Sequence, residues 1–129
     1  MVLVDTSVFV DFFNGRKNDK TQQLIQLINE AQNIAICGII YQEVLQGIKA
    51  DRDFQNIKAI LDEFIFLRCP DELYLKSASL YRKLRKCGVT IRKSVDVTIA
   101  TIAIENQVAL LENDIDFKQI AQHSNLKLY

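Results

Sequence analysis

Few features of this 129-residue chain could divide it: it has one proline (Pro70), four glycines and no tryptophan. No repeat, low-complexity stretch or linker is visible, so the length reads as one domain, 1–129, with a real core and no room for a second. The three cysteines, Cys37, Cys69 and Cys87, are far apart and include no C-x-x-C pair. That excludes a disulfide framework and a zinc site, and leaves buried or neutral thiols in a reducing cytoplasm. Net charge is absent too, with 16 basic against 16 acidic residues. Bulk charge therefore cannot hold a nucleic acid, although a local basic patch can. The opening MVLVDTSVFVDFF has no positive segment ahead of its apolar stretch, and Asp5 interrupts that stretch early. It is neither a signal peptide nor a bilayer span, so a soluble, cytoplasmic protein with no membrane partner is expected. The lone His123 offers no nucleophilic triad, and no G-x-x-x-x-G-K segment is present for a nucleotide-driven motor.

What is present is an alternation of short apolar runs and helical periods. Val2 to Val4, Ile34 to Cys37 and Val108 to Leu111 read as buried strands. Thr6 and Ser7 can cap a helix from Val8 to Phe13, closing near Asn14-Gly15. Lys20 to Ala31 places Leu24, Leu27, Ile28 and Ala31 on one helical face. Helical spacing recurs over Tyr41 to Ile48 and Asp53 to Phe64, and Phe64 to Leu67 either continues that helix or begins a strand. A long helix follows Pro70 and stops before Gly88, with Leu73, Ser77, Leu80, Tyr81 and Leu84 inward. Ser94 then caps Val95 to Glu105, which is apolar nearly all round and reads as a central buried helix. A turn at Asn113 to Asp116 leads into a short helix to about Gln122, and Leu126 to Leu128 could add a last strand. Strands alternating with helices predict an α/β fold, a three-layer α/β/α sandwich with a central, mainly parallel sheet. In such folds the working site lies at the carboxyl ends of the strands.

That rule gathers five carboxylates. Asp5 follows the first strand; Asp114 and Asp116 follow Val108 to Leu111; Asp96 opens the buried helix; Glu43 lies in the helix after the second strand. Each has an ordinary alternative. Asp5 could be a helix-start acid, Glu43 a solvated helix acid, Asp96 a dipole-stabilised first-turn acid, and Asp114 or Asp116 a turn or cap residue. Asp11 reads as a solvated helix residue and not as a ligand. As a set, carboxylates this close repel one another and need protons or cations to neutralise them. Oxygen donors suit Mg²⁺ or Mn²⁺ and not zinc. Such an ion activates water and holds a phosphodiester, which is the chemistry of a metal-dependent nuclease.

With these residues in view, the chain resembles the PIN-domain ribonucleases, specifically the VapC-type toxins of toxin–antitoxin pairs, over essentially its whole length. VLVDTSVFVD resembles the family's opening strand and Asp-Thr-Ser; IIYQEVLQG resembles the segment with the family's glutamate; RKSVDVTIATIAIENQVALLENDIDF resembles its C-terminal half. The resemblance implies a single PIN-like nuclease domain, with Asp5, Glu43 and Asp96 at a Mg²⁺ or Mn²⁺ site that Asp114 or Asp116 completes. Ser7 would assist in orienting the metal shell or the substrate. It also implies an RNA substrate, a cognate antitoxin and a homodimer. Two positions depart from the pattern. Ile40 stands where relatives often carry Thr or Ser, three residues before the glutamate, and Glu112 stands where the last strand often ends in Thr.

Arg82 to Lys93, RKLRKCGVTIRK, carries six basic residues and no acidic one. It is either a helix end complementing the dipole or a rim that guides a polyanion, with Arg92 and Lys93 the best-placed phosphate contacts. Phe9, Phe12 and Phe13 crowd the first helix, as core or as part of a protein contact. Two other readings remain at this level. One is a Mg²⁺-binding signalling receiver domain, against which stand the single Asp at the first strand's exit and the lack of a mid-chain phosphoacceptor. The other is a catalytically inactive PIN-like binding scaffold, against which stand the retained acids.

Overall fold

The strands are short and apolar along their length, as suits a sheet covered by helices on both faces, and only Ile65 and Phe66 among them are exposed. In the computed structural model, which describes residues 1–129, they form one four-stranded parallel sheet. The elements run β1 (Val2–Val4), α1 (Thr6–Phe13), α2 (Asp19–Asn29), β2 (Ile34–Cys37), α3 (Gly38–Gln46), α4 (Asp51–Leu61), β3 (Ile65–Leu67), α5 (Asp71–Lys86), α6 (Ser94–Glu105), β4 (Ala109–Leu111) and α7 (Ile115–Gln122). The strand order is β3-β2-β1-β4. Leu3 pairs with Ala35 on one side and Leu110 on the other, and Ile36 pairs with Phe66.

From β1 the chain steps outward through β2 to β3, then returns past its start to place β4 on the opposite side. The crossovers out and back therefore lay helices on opposite faces, because parallel crossovers keep one hand. Accordingly α1 packs on α2 and α3, and α3 on α4, while α6 packs on α5, α7 and β4. The result is the three-layer α/β/α sandwich expected. Its order reverses between β1 and β4, so the crevice of this fold opens at the carboxyl ends of those two strands.

The core is a single cluster of 28 buried apolar residues. In α6 it takes Val97, Ile99, Ala100, Ile102 and Ala103, so the helix read as apolar all round is the most deeply buried one. Phe9 is fully buried and stacks on Phe13 and Phe64, while Phe12 and Phe13 are half-buried and pack against the core. Cys37 is buried and its thiol is pushed up to about 11 by that burial, which keeps it neutral. Cys69 is half-buried and Cys87 exposed.

Several local expectations need correction. The cap of α1 is Asp5, not Thr6 or Ser7, and both hydroxyl residues lie inside the helix. Ser94 is likewise the first residue of α6, whose cap position is Lys93, with no side-chain cap bond. Ile28 is exposed, and Ala31 lies beyond α2 at φ +50° instead of on its inner face. Ile65–Leu67 resolves as a strand. The expected last strand shrinks to one parallel bridge, Leu110 to Leu128, which still covers the open edge of β4. No helix is long and apolar enough to cross a membrane.

Candidate active site

Asp5 stands where β1 turns into α1. Its backbone N–H donates to the Leu111 carbonyl at 2.9 Å, which ties the exit of β1 to the end of β4. Its carboxylate Oδ2 caps the helix by accepting the Ser7 N–H at 3.1 Å, and also accepts the Ser7 hydroxyl at 2.6 Å. The Ser7 hydroxyl oxygen in turn accepts the Asn113 N–H at 3.1 Å. One serine thus clips the two strand exits together. Oδ1 of Asp5 takes no hydrogen bond from the protein. Burial pushes the Asp5 carboxyl above its ordinary range, against the Ser7 hydrogen bonds that lower it, and the Glu43 charge adds to the rise.

Asp96, Asp114 and Asp116 meet at the neighbouring exit. One carboxylate oxygen from each lies within 4.8 Å of the others. Asp96, on the first turn of α6, is only 3 % exposed. Its Oδ2 is buried without a hydrogen-bond partner. Asp114 is the N-cap of α7 and accepts the Asp116 N–H at 3.0 Å. Both acids of the turn therefore point into the cluster, and Asp114 also serves the backbone. The charge is partly balanced from the segment before α6. Arg92 donates through Nε to Asp116 Oδ2 at 3.0 Å and through a terminal nitrogen to Asp114 Oδ1 at 3.3 Å. Lys93 Nζ lies 3.9 Å from Asp96 and 3.8 Å from Asp114. Even so, burial, then Asp5, Asp114 and Asp116, push Asp96 up to about 7, with Lys93 working the other way.

Asp5, Glu43 and Asp96 line one cleft of about 430 Å³, so Asp96 is shared between this cleft and the Asp114–Asp116 group. Glu43 is held there by Thr6, whose hydroxyl donates to Oε1 at 2.9 Å. Thr6 was read only as a possible cap. Ile40, three residues before Glu43, is fully buried in the core. Glu112 was read only as a departure. It is 1 % exposed and its Oε2 accepts the Asp114 N–H at 2.8 Å, shaping the turn. Asp11 is not the solvated residue expected: it lines the cleft, and its side chain is 14 % exposed. Arg16, beside it in the cleft, carries no signal in the sequence, because its nearness to the acids depends on the loop after α1. The segment Arg82–Arg85 stays on α5, and only Arg92 and Lys93 reach the carboxylates. A larger groove of about 540 Å³ adjoins the cleft at Val10. It contains only one carboxylate, Asp53, and no convergent set, so the chemistry belongs to the smaller space.

An all-oxygen donor set with a buried orphan oxygen fits a hard divalent cation such as Mg²⁺ or Mn²⁺. Comparisons with known proteins identify the family. Residues 2–122 match the PIN domain family. The chain is 30 % identical over 129 residues to Ribonuclease VapC11 of Mycobacterium tuberculosis, covering 98 % of this chain and 96 % of that protein. It is also 30 % identical over 129 residues to Ribonuclease VapC1 of Methanocaldococcus jannaschii, covering 99 % and 86 %. Among solved structures, VapBC2 of Rickettsia felis bound to a promoter DNA fragment superposes with a TM-score of 0.79 at 23 % identity, over 100 % of this chain and 98 % of that one. VapC20 of Mycobacterium tuberculosis, described as a sarcin–ricin-loop-cleaving toxin, gives 0.71 at 14 % identity, over 98 % and 99 %.

Proposed function

The chain belongs to the PIN-domain family, and from that membership we propose that it is a divalent-metal-dependent endoribonuclease, the toxin of a toxin–antitoxin pair. The observation that carries the reading is the buried, unpartnered Oδ2 of Asp96 within a set of three converging carboxylates. A burial of that kind is costly unless a cation completes it. The relatives named as ribonucleases, aligned along nearly the whole chain, supply the substrate class.

In this reading Asp5, Asp96, Asp114 and Asp116 hold the ion. Mg²⁺ or Mn²⁺, when bound, supplies an activated water and neutralises charge developing on phosphate. Glu43 orients the attacking water through Oε2, the oxygen that Thr6 leaves free. The water oxygen would bond to phosphorus as the bond to the leaving ribose oxygen breaks, its proton passing to Glu43 or solvent and the leaving oxygen taking one from solvent. Ser7 acts through Asp5, since its hydroxyl is engaged by Asp5 and Asn113. Arg92 and Lys93 stand at the rim on the cluster's exposed side and meet the incoming phosphates. In this reading the protein meets its RNA substrate in the cytoplasm. The neighbours solved as toxin–antitoxin complexes support a cognate antitoxin as partner. Family membership is what supports a second copy of this chain as another.

The test is RNA cleavage in chelator and across a Mg²⁺ and Mn²⁺ titration, with Asp5→Asn and Asp96→Asn beside the wild type. Cleavage should need the ion and fail in both variants. Cleavage independent of metal, or full activity in both variants, would overturn the mechanism. The positioning of Glu43 has its own consequence. Thr6→Val keeps the shape and removes the hydroxyl, and should lower kcat roughly 10-fold, the scale of outer-sphere losses at metal sites. Single-turnover cleavage at saturating metal checks this, and an unchanged rate would show that Glu43 does not depend on Thr6.

A further inference from the structure

The cleft holds two cations, Arg16 and Lys93, beside its acids. Lys93 is engaged with Asp96 and Asp114. Arg16 is held differently. It follows Gly15, whose φ of +74° turns the chain back, and its N–H donates to the Asp11 carbonyl at 2.9 Å. Its guanidinium makes one hydrogen bond, from a terminal nitrogen to Asp11 Oδ1 at 3.2 Å. The Asp11 carboxylate is itself fixed from two directions. Oδ2 accepts the Asn18 amide at 3.0 Å and the Asn113 amide at 2.9 Å. Asn18 is the cap of α2, and Asn113 belongs to the turn after β4.

An ordinary surface ion pair is loose and contributes little. This one has a carboxylate that is 14 % exposed, tied to the α1–α2 connection and to the turn after β4, and an arginine side chain that is 70 % exposed. The construction sets where the arginine stands while leaving Nε and the second terminal nitrogen without a protein partner. Two free donors on a planar cation match the paired oxygens of a phosphodiester. Asp11, already bonded to Arg16 and two amides, does not present an uncompensated charge to a polyanion.

We propose that Arg16, held by Asp11, binds a backbone phosphate of the RNA next to the scissile one and positions the strand across the acidic cleft. This rests on the ribonuclease reading above. Arg16 is a positioning residue: it touches the strand away from the bond that breaks, so its loss falls on KM and not on kcat.

The experiment uses a fluorescent single-stranded RNA that the wild type cleaves, with Arg16→Ala, Arg16→Lys and Asp11→Asn. Arg16→Ala should raise KM about 10-fold, as expected for a lost charge-assisted contact. It should also flatten the salt dependence of log(kcat/KM) by roughly 0.7, one phosphate of a single strand. Arg16→Lys should fall between, because a point charge lacks the fork. Asp11→Asn should raise KM with Arg16 still present. Mn²⁺ affinity by calorimetry and the melting temperature should stay at wild-type values in Arg16→Ala. An unchanged KM and salt slope overturns the inference. So does a loss of metal affinity or stability that accounts for the lost activity, since that marks a structural role. A wild type that cleaves no RNA defeats the ribonuclease reading before any variant is compared, and this inference with it.

Discussion

Asp96→Asn is expected to cut metal-dependent RNA cleavage by at least about 100-fold and, in chelator, to raise the melting temperature. Both effects follow from one placement. Asp96 is 3 % exposed, with one oxygen unpartnered and the oxygens of Asp114 and Asp116 within 4.8 Å. A charge there is desolvated and repelled, and Lys93 at 3.9 Å compensates only part of it. Asparagine keeps the shape, removes the charge and offers an N–H₂ group to neighbouring carboxylates. It also removes an anionic oxygen from the metal set. Activity and stability therefore move in opposite directions, as they do where a site is built at the expense of the fold.

The same residue sets a pH dependence whose sign can be worked out. Burial, with help from Asp5, Asp114 and Asp116, raises the folded pKa of Asp96 from 3.8 to about 7. The folded chain then binds this proton more tightly than the unfolded chain. Its contribution to stability is complete below 3.8, is lost as pH rises towards 7, and is flat above. Burial raises Asp5 in the same direction. In chelator the wild type should melt lower at pH 8 than at pH 5, and Asp96→Asn should show a shallower fall. Saturating Mn²⁺ at pH 8 should restore the wild type and leave the variant unmoved. A variant no more stable than wild type in chelator would show that the cluster carries no such strain.

How far the sequence carried this structure depended on the range of the interactions involved. The bounds of β1 and β2 were legible because each is a continuous apolar run closed by turn or cap residues, and β4 differs by one residue. Asp5, Asp114 and Asp116 were legible by the strand-exit rule, whereas Glu43 and Asp96, inside helices, also needed the resemblance to the PIN-domain family. The caps were not. Asp5, Thr6 and Ser7 are all able to cap α1, and the choice turns on distant partners. Ser7 is drawn to Asn113, 106 positions away, and Thr6 to Glu43, 37 positions away. Asp11 escaped for the same reason, since it accepts from Asn18 and Asn113, which meet it only once α1, α2 and the β4–α7 turn are brought together. The choice between Asp114 and Asp116 was posed too narrowly: both face Asp96, and Asp114 also caps α7.

Asp5→Asn and Asp5→Ala should both lose cleavage by at least about 100-fold, yet differ in stability. Asp5 serves two ends through two oxygens. Oδ2 caps α1 and receives Ser7, while Oδ1 stays free of protein hydrogen bonds at the cleft. Asparagine is as good an N-cap as aspartate and can keep its carbonyl oxygen on Ser7. Its nitrogen then replaces Oδ1, and an amide nitrogen bearing two protons cannot ligate a cation. Alanine removes both the ligand and the cap. Each variant also relieves the buried charge, so that gain cancels between them. The difference left over is the cap, about 1 kcal/mol in favour of asparagine by urea denaturation in chelator. Equal stabilities would mean that the Asp5 side chain does not hold the start of α1. Cleavage retained by Asp5→Asn above a tenth of the wild-type rate would mean that Oδ1 holds no ion, and that the site is organised around Asp96 alone.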